Sequence, residues 1–527
     1  MLEAPLVSVA SRQEKEERDA AAENIHNMLT LFGPAFVRTK RFWVGVGAAV
    51  IAGLVLGGVA LGFFNLFEEV GKLLWCTDEY KNSTKHNSFV LRGRNATGGG
   101  WGATEAGFFY VPMAVLGGLA VGAVKLLWTG CFYEFPSNPP ALFVELKDLQ
   151  CHHPSVAIPV LLCSAIGLAC GASVGPEAAL GAAGAALGTV MGRCLKSDPT
   201  CEENREGKLF PLIGMAASFG PLLPSPILAV MLLHELGFAS LERSSRASLS
   251  TSFMEMVALT GVGASVSFAL FTQLKDLTFL ETVNIPPAEI GVRGNWTKYL
   301  APAMAIGFLS GIVGFCGILF LGIGKKLGDC TRKLLARTGM ACGCGRYIGM
   351  ILTPAIGGGI FGLIAHFFPM TLGDGNAQLG VVIGSVFRQT YSANYLIALA
   401  FAKLAALGVA LGFGFIGGQI FPMVFAGACV GVAVTQITGL TFLVSVPCAL
   451  VAVPCAFTPC IFSLVGLVSV MLALGGAATG PPFVAAIVSY CTVSGVGIIQ
   501  RIMQRQLERL MGPEEATGVV DGLEEKA

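Results

Sequence analysis

"SVGPEAALGAAGAALG", residues 173–188, holds one carboxylate, Glu177, in a run of Gly and Ala. No other Asp, Glu, Lys or Arg occurs between Asp148 and Arg193. Gly-Pro followed by small residues predicts a helix start, because proline lacks only an N–H that the first helical position leaves unbonded anyway. In a soluble protein, an acid there would simply complement the helix dipole. This run, however, is apolar enough to lie in a bilayer. An ionisable group at that depth is costly, which makes it a functional candidate by default.

A second stretch has the same design. "GGQIFPMVFAGACVGVA", residues 417–433, again runs from glycine through proline into a helix of small residues. The two stretches sit in corresponding places of two halves, about 42–245 and 298–500. The pair 220–235 and 477–491 is matched in the same way. The first half starts its leading span inside and the second starts outside. The fold class expected is therefore an all-α polytopic membrane protein, built as an inverted-topology repeat with broken, re-entrant helices. Such breaks, repeated in two halves, mark a transporter's binding site.

Composition agrees. The 527 residues are 54% hydrophobic and only 13% charged, with a mean hydropathy of +0.70. Soluble domains carry about 25% charged residues, and a span needs about 20 apolar ones. The 69 glycines suit close helix contacts in lipid. A net charge of +1 gives no electrostatic footprint for nucleic acid. Apolar segments fall at 42–68, 107–128, 155–169, 177–193, 208–218, 223–237, 250–274, 299–323, 346–368, 378–388, 393–413, 420–437, 442–475 and 481–500.

Orientation follows from charge. Arg38, Lys40 and Arg41 precede the first span and place that side in the cytoplasm. Sequons at Asn82, Asn95 and Asn295 then fall outside. "KKLGDCTRKLLAR", residues 325–337, reads as a cytoplasmic loop. Residues 1–37 read as a charged cytoplasmic tail rather than a signal peptide, and 501–527 as a short cytoplasmic tail. The transmembrane domain is 38–500.

Metal and enzyme chemistry find little support. Of sixteen cysteines, Cys163, Cys170, Cys316 and Cys429 lie in apolar runs and read as small buried hydrophobes. Cys342 and Cys344 lack the matching pair of a zinc site. His234 and Glu235, in "LLHELGFAS", lack the second His of a zinc-protease helix. His152 and His153 fall at a segment boundary. No cofactor or metal is expected.

Three helix starts share one physical design: "PSNPP" (136–140), "GPE" (175–177) and "GGQIFP" (417–422). Each leaves free N–H groups at the positive end of a helix dipole. Together they can hold an anion without a full positive charge, and so can release it. A carboxylate that fills such a site when charged and leaves it when protonated is both a gate and a proton carrier. Glu177 fits that description. The competing reading, a cation-coupled transporter with Glu177 and Glu235 as ligands, is at odds with helix starts that favour anions.

These motifs, in this order, resemble the CLC family of chloride channels and chloride/proton exchangers. The family's Gly-Ser-Gly-Ile-Pro, Gly-Lys/Arg-Glu-Gly-Pro and Gly-x-Phe-x-Pro helix starts correspond to "PSNPP", "GPEAA" and "GQIFP". "SPILAVMLLHEL" (225–236) and "GGIFGLIAHFFPMTLGDGNAQL" (358–379) also have the family's form. The resemblance implies chloride transport, a homodimer in a bilayer and an anion pathway in each subunit. Ser137 and Asn138 would face the anion from the cytoplasmic side. Gly175, Gly418, Gln419, Ile420 and Phe421 would complete its site, and Glu177 would gate it. Glu235 lies near the family's internal proton-accepting glutamate; its other reading is a solvated helix-end acid. Exchange with protons and passive channel conduction both remain open, with exchange favoured by the presence of Glu177 and Glu235. The chain departs from the family at Pro136, Asn138 and Pro139, where the first motif's glycines are lost. Gln419 and Ile420 replace more typical apolar residues. No Tyr follows Tyr490 to serve as the inner-gate tyrosine. The paired nucleotide-binding CBS modules of some members are not expected.

Overall fold

The computed structural model describes residues 37, 39–75, 110–131, 155, 157–195, 209–240, 253–275, 296–338, 345–388, 390–458 and 460–495. The first half contributes α1 (Lys40–Trp75), α2 (Tyr110–Cys131), α3 (Ala157–Ala169), α4 (Glu177–Cys194), α5 (Leu209–Phe219), α6 (Pro226–Ser240) and α7 (Phe253–Lys275). The second contributes α8 (Leu300–Thr338), α9 (Gly345–Phe367), α10 (Asn376–Arg388), α11 (Ala393–Gly412), α12 (Ile420–Thr438), α13 (Phe442–Cys455), α14 (Ile461–Met471) and α15 (Gly480–Gly495). Eight helical stretches among the described residues are long and apolar enough to cross a membrane.

The repeat is visible in the packing. α1 lies on α7 as α8 lies on α15, and α4 lies on α5 as α12 lies on α13. Glycines set these contacts and show their direction. Gly45 faces Leu259 and Gly53 faces Val266, so α1 and α7 run parallel. Gly307 on Ala485 and Gly311 on Ser489 make α8 and α15 parallel too. Gly184 meets Gly214 and Gly188 meets Phe210, an antiparallel contact. Gly427 on Ala449 and Gly431 on Val446 repeat it. Counted from Glu177 and Ile420, the paired glycines of α4 and α12 stand at the same helical positions.

The halves meet through α2 and α9, which are counterparts in this order. Gly118 packs on Pro354, Gly122 on Ile351, Gly358 on Ala114 and Gly362 on Val111. These two counterparts therefore run in opposite directions, which is the inversion itself. The core lies around α12 and α13, which are almost wholly buried. The outer faces are apolar as well: Trp43, Ile51, Phe308 and Leu309 are exposed. A surface of this kind suits lipid and is wrong for water.

Three sequence expectations change. The segment 442–475 is two helices, because the chain leaves helix at Ala456 and α14 begins at Ile461. The basic stretch 325–337 is no loop; it forms the last turns of α8, with its long cationic side chains mostly exposed. The counterpart of 220–235 is α14 and not 477–491, since α6 and α14 each immediately precede the last helix of their half, α7 and α15. Proline at the start of both α6 and α15 produces the false match. Of the cysteines expected inside, Cys163, Cys170 and Cys429 are buried, but Cys316 is partly exposed.

Candidate anion site at paired helix starts

α3 ends at Ala169, and the chain turns through Gly171, whose φ of 88° favours glycine. In the other half, α11 ends at Gly412 and the chain turns through Gly414, with φ 98°. The two turns then meet. Gly175 N–H donates to Gly418 O at 2.8 Å, and Gly418 N–H donates to Gly175 O at 2.6 Å. This one-residue antiparallel bridge sets the starts of α4 and α12 side by side.

Neither start is capped in the usual way. Pro176 and Gln419 occupy the N-cap positions, and neither makes a side-chain cap bond. The acceptor is instead the carboxylate of Glu177. Phe421 N–H donates to Glu177 Oε1 at 3.1 Å. The amides of Glu177 itself and Ile420 also act on the carboxylate. Glu177 is buried, and its Oε2 has no hydrogen-bond partner among the described residues. Two glycines make room for it. A Cβ on Gly418 would lie 1.8 Å from Oε2, and one on Gly175 would lie 2.0 Å from it. The carboxylate thus sits against two helix starts whose free amides can attract an anion. Among the described residues, helix N-termini supply the attraction without a lysine or arginine hydrogen-bonded to the carboxylate.

Gly175, Glu177, Gly418, Ile420 and Phe421 therefore come together as the sequence suggests. Gln419 joins them at the start of α12, partly exposed. Ser137 and Asn138 lie outside the described residues, as do the sequons, His152, His153, Cys342 and Cys344. Glu235 lies elsewhere, partly exposed, with both carboxylate oxygens engaged. Its Oε1 accepts from Phe462 N–H at 2.9 Å. Its Oε2 accepts from Ser463 N–H at 2.9 Å and Ser463 Oγ at 2.7 Å. Glu235 thereby caps α14 from across the repeat. Its neighbour His234 pairs through Nε2 with Thr260 Oγ1 at 3.3 Å. Among the described residues, no group of three His, Cys, Asp or Glu side chains could hold a metal.

Among the buried charges that the sequence reading does not single out are Lys125, Asp374 and Lys403. Their signal is isolation. Lys403 is the only Asp, Glu, Lys or Arg between Arg388 and Arg501, and Asp374 the only one between Arg346 and Arg388. Lys125 donates from Nζ to Gly414 O, in the turn that leads to α12. Lys125→Met should remove that charge-assisted bond and leave a buried carbonyl unpaired, at a cost of about 1–3 kcal/mol. Its melting temperature in detergent should fall, and anion flux should fall with it.

Solved structures share this architecture. A slow cyanobacterial Cl−/H+ antiporter matches with a TM-score of 0.62 at 16% identity, covering 88% of this chain and 98% of that one. A CLC-type fluoride/proton antiporter matches with a TM-score of 0.56 at 17% identity, covering 86% and 96%. Among curated relatives, the putative ion-transport protein YfeO of Escherichia coli O17:K52:H18 is 24% identical over 355 residues, 67% of this chain and 74% of that protein. YfeO of Salmonella newport is 25% identical over 362 residues, 66% and 74%. The family model described as voltage gated chloride channel matches residues 141–503, well over half of the sequence. The chain belongs to the CLC family of chloride channels and chloride/proton exchangers.

Proposed function

We propose that this protein carries chloride across a membrane through a CLC-type pathway gated by Glu177, in exchange for protons. One observation carries the reading: the Glu177 carboxylate rests on the Phe421 amide where the starts of α4 and α12 meet. Ionised, it is an acceptor that suits those amides and competes with an anion. Protonated, it gains a donor that does not suit them, and it gives way. Each departure then carries a proton. The similarity of the fold to Cl−/H+ and fluoride/proton antiporters supports the same reading. The working unit is a homodimer with one pathway per subunit, as the family resemblance implies.

Passive conduction is the second reading, and Glu235 favours it. Both carboxylate oxygens are engaged in capping α14, which opposes a role in passing protons. Purified protein in liposomes, under an imposed chloride gradient and with a pH probe, decides between them. Uphill proton movement is the expected result. Chloride flux without proton movement would overturn exchange. Glu235→Gln extends the test: under exchange it uncouples protons from chloride, whereas a cap alone predicts lower stability with coupling intact.

A further inference from the structure

We infer that Asp374 and Lys403 form a charge-balanced buried pair that sets how firmly the pathway holds an anion and how readily Glu177 gives way to it. This rests on the gate reading of Glu177 and deepens it. Lys403 is fully buried on α11. Its Nζ donates to Gly373 O at 2.6 Å, Thr371 O at 3.0 Å and Leu372 O at 3.5 Å. Three carbonyl acceptors match the three hydrogens of an ammonium; a neutral amine has only two. A buried charge needs a counter-charge, and Asp374, next to Gly373 in the same loop, is placed to supply it without a direct ion pair. Asp374 is itself buried, takes the Asn376 N–H at 3.1 Å, and interacts with the Lys403 charge.

The pair stands between the two helix starts. Gly373 N–H donates to Gly171 O at 3.1 Å, tying the loop to the turn that leads to Glu177. On the other side, Lys403 Nζ lies 5.1 Å from the Phe425 ring centroid. Phe425 is one turn along α12 from Phe421, which holds the Glu177 carboxylate. An ionised Asp374 on this tied loop would repel an ionised Glu177. Cys429, one further turn along α12, is the other titratable group near Lys403. Lys125, on α2, is occupied by Gly414 O and has Cys163 and Arg332 as its charged or titratable neighbours. With both members charged, their effects on an anion at the helix starts oppose each other. Removing one leaves the other unbalanced.

The test is chloride flux in liposomes across a pH series, with chloride affinity measured by titration. Asp374→Asn, nearly isosteric, leaves Lys403 unopposed. Chloride should bind more tightly, and the midpoint of acid activation should move to lower pH by about one unit, the size expected for a nearby charge. Lys403→Gln keeps an amide donor without the charge. It should move the midpoint to higher pH and weaken chloride binding. The double variant should return close to the wild-type midpoint. A merely structural role predicts lost flux at every pH, unmoved midpoints, and a double variant worse than either single. That result overturns the proposal. If Lys403→Gln fails to assemble, Asp374→Asn decides alone: an acid shift supports the pair, and no shift sinks it. Glu177→Gln separates the two levels. If it leaves pH dependence intact, the gate reading fails; if it flattens pH dependence while the single variants do not shift, only the pair fails.

Discussion

Glu177→Gln should give a protein whose anion flux is high and indifferent to pH. The carboxylate is held by an amide in a buried place, and a hydrogen bond to a charged group is worth about 1.5–3 kcal/mol. Each 1.4 kcal/mol is about tenfold in occupancy. Losing the charge should therefore open the site to anions roughly tenfold or more at neutral pH. Gln keeps the size of Glu but cannot ionise, so it mimics the protonated gate at every pH. In the wild type, the competitor is the ionised form. Acid removes that competitor, so wild-type flux should rise as pH falls. The variant should start at the acid level and stay there. Under exchange it should also stop moving protons uphill, because no group at the site then binds and releases one. Chloride efflux from liposomes over an acid-to-neutral series reads both effects. A variant with wild-type flux and wild-type pH dependence would remove Glu177 from the gate.

How much of this was legible beforehand depends on the range of the interaction. The start of α4 at Glu177 could be read because its cause is local: Gly-Pro, a small-residue run and one acid in an apolar background. The start of α12 was legible for the same reason. Their apposition is implied only by the family resemblance, and the Gly175–Gly418 bridge shows it as geometry. Glu235 was not legible. Its partners stand 227 and 228 residues away, and no pattern around Glu235 points to them. The break after α13 was hidden because Pro447 and Pro454 lie inside that helix and do not end it. The basic stretch of α8 reads as a loop in the sequence because charge marks water and not coil. Lys403 was visible as a lone charge, but its three carbonyl partners belong to a loop about thirty residues upstream.

Gly418→Ala should nearly abolish flux, and Glu177→Ala should restore part of it. The backbone at Gly418 is not in the left-handed region, so alanine is conformationally allowed and the substitution tests space. The bridge to Gly175 uses only backbone atoms and can survive it. The new methyl, however, would lie 1.8 Å from Glu177 Oε2 and 2.4 Å from its Cδ. Neither atom is the loose end of a free side chain, because Phe421 N–H fixes the carboxylate. The methyl and the carboxylate cannot share the place, and an anion would meet the same obstruction. Overpacking of this kind costs about 1–3 kcal/mol, which corresponds to roughly five- to 150-fold in occupancy. Glu177→Ala in the same chain removes Oε2 and Cδ and leaves only the 3.0 Å approach to the Cβ of residue 177. The two substitutions should therefore be strongly non-additive, as contacting residues are. Flux in liposomes, with melting temperature as the check on folding, measures the coupling. Additive losses would show that Gly418 and the Glu177 carboxylate do not share a site.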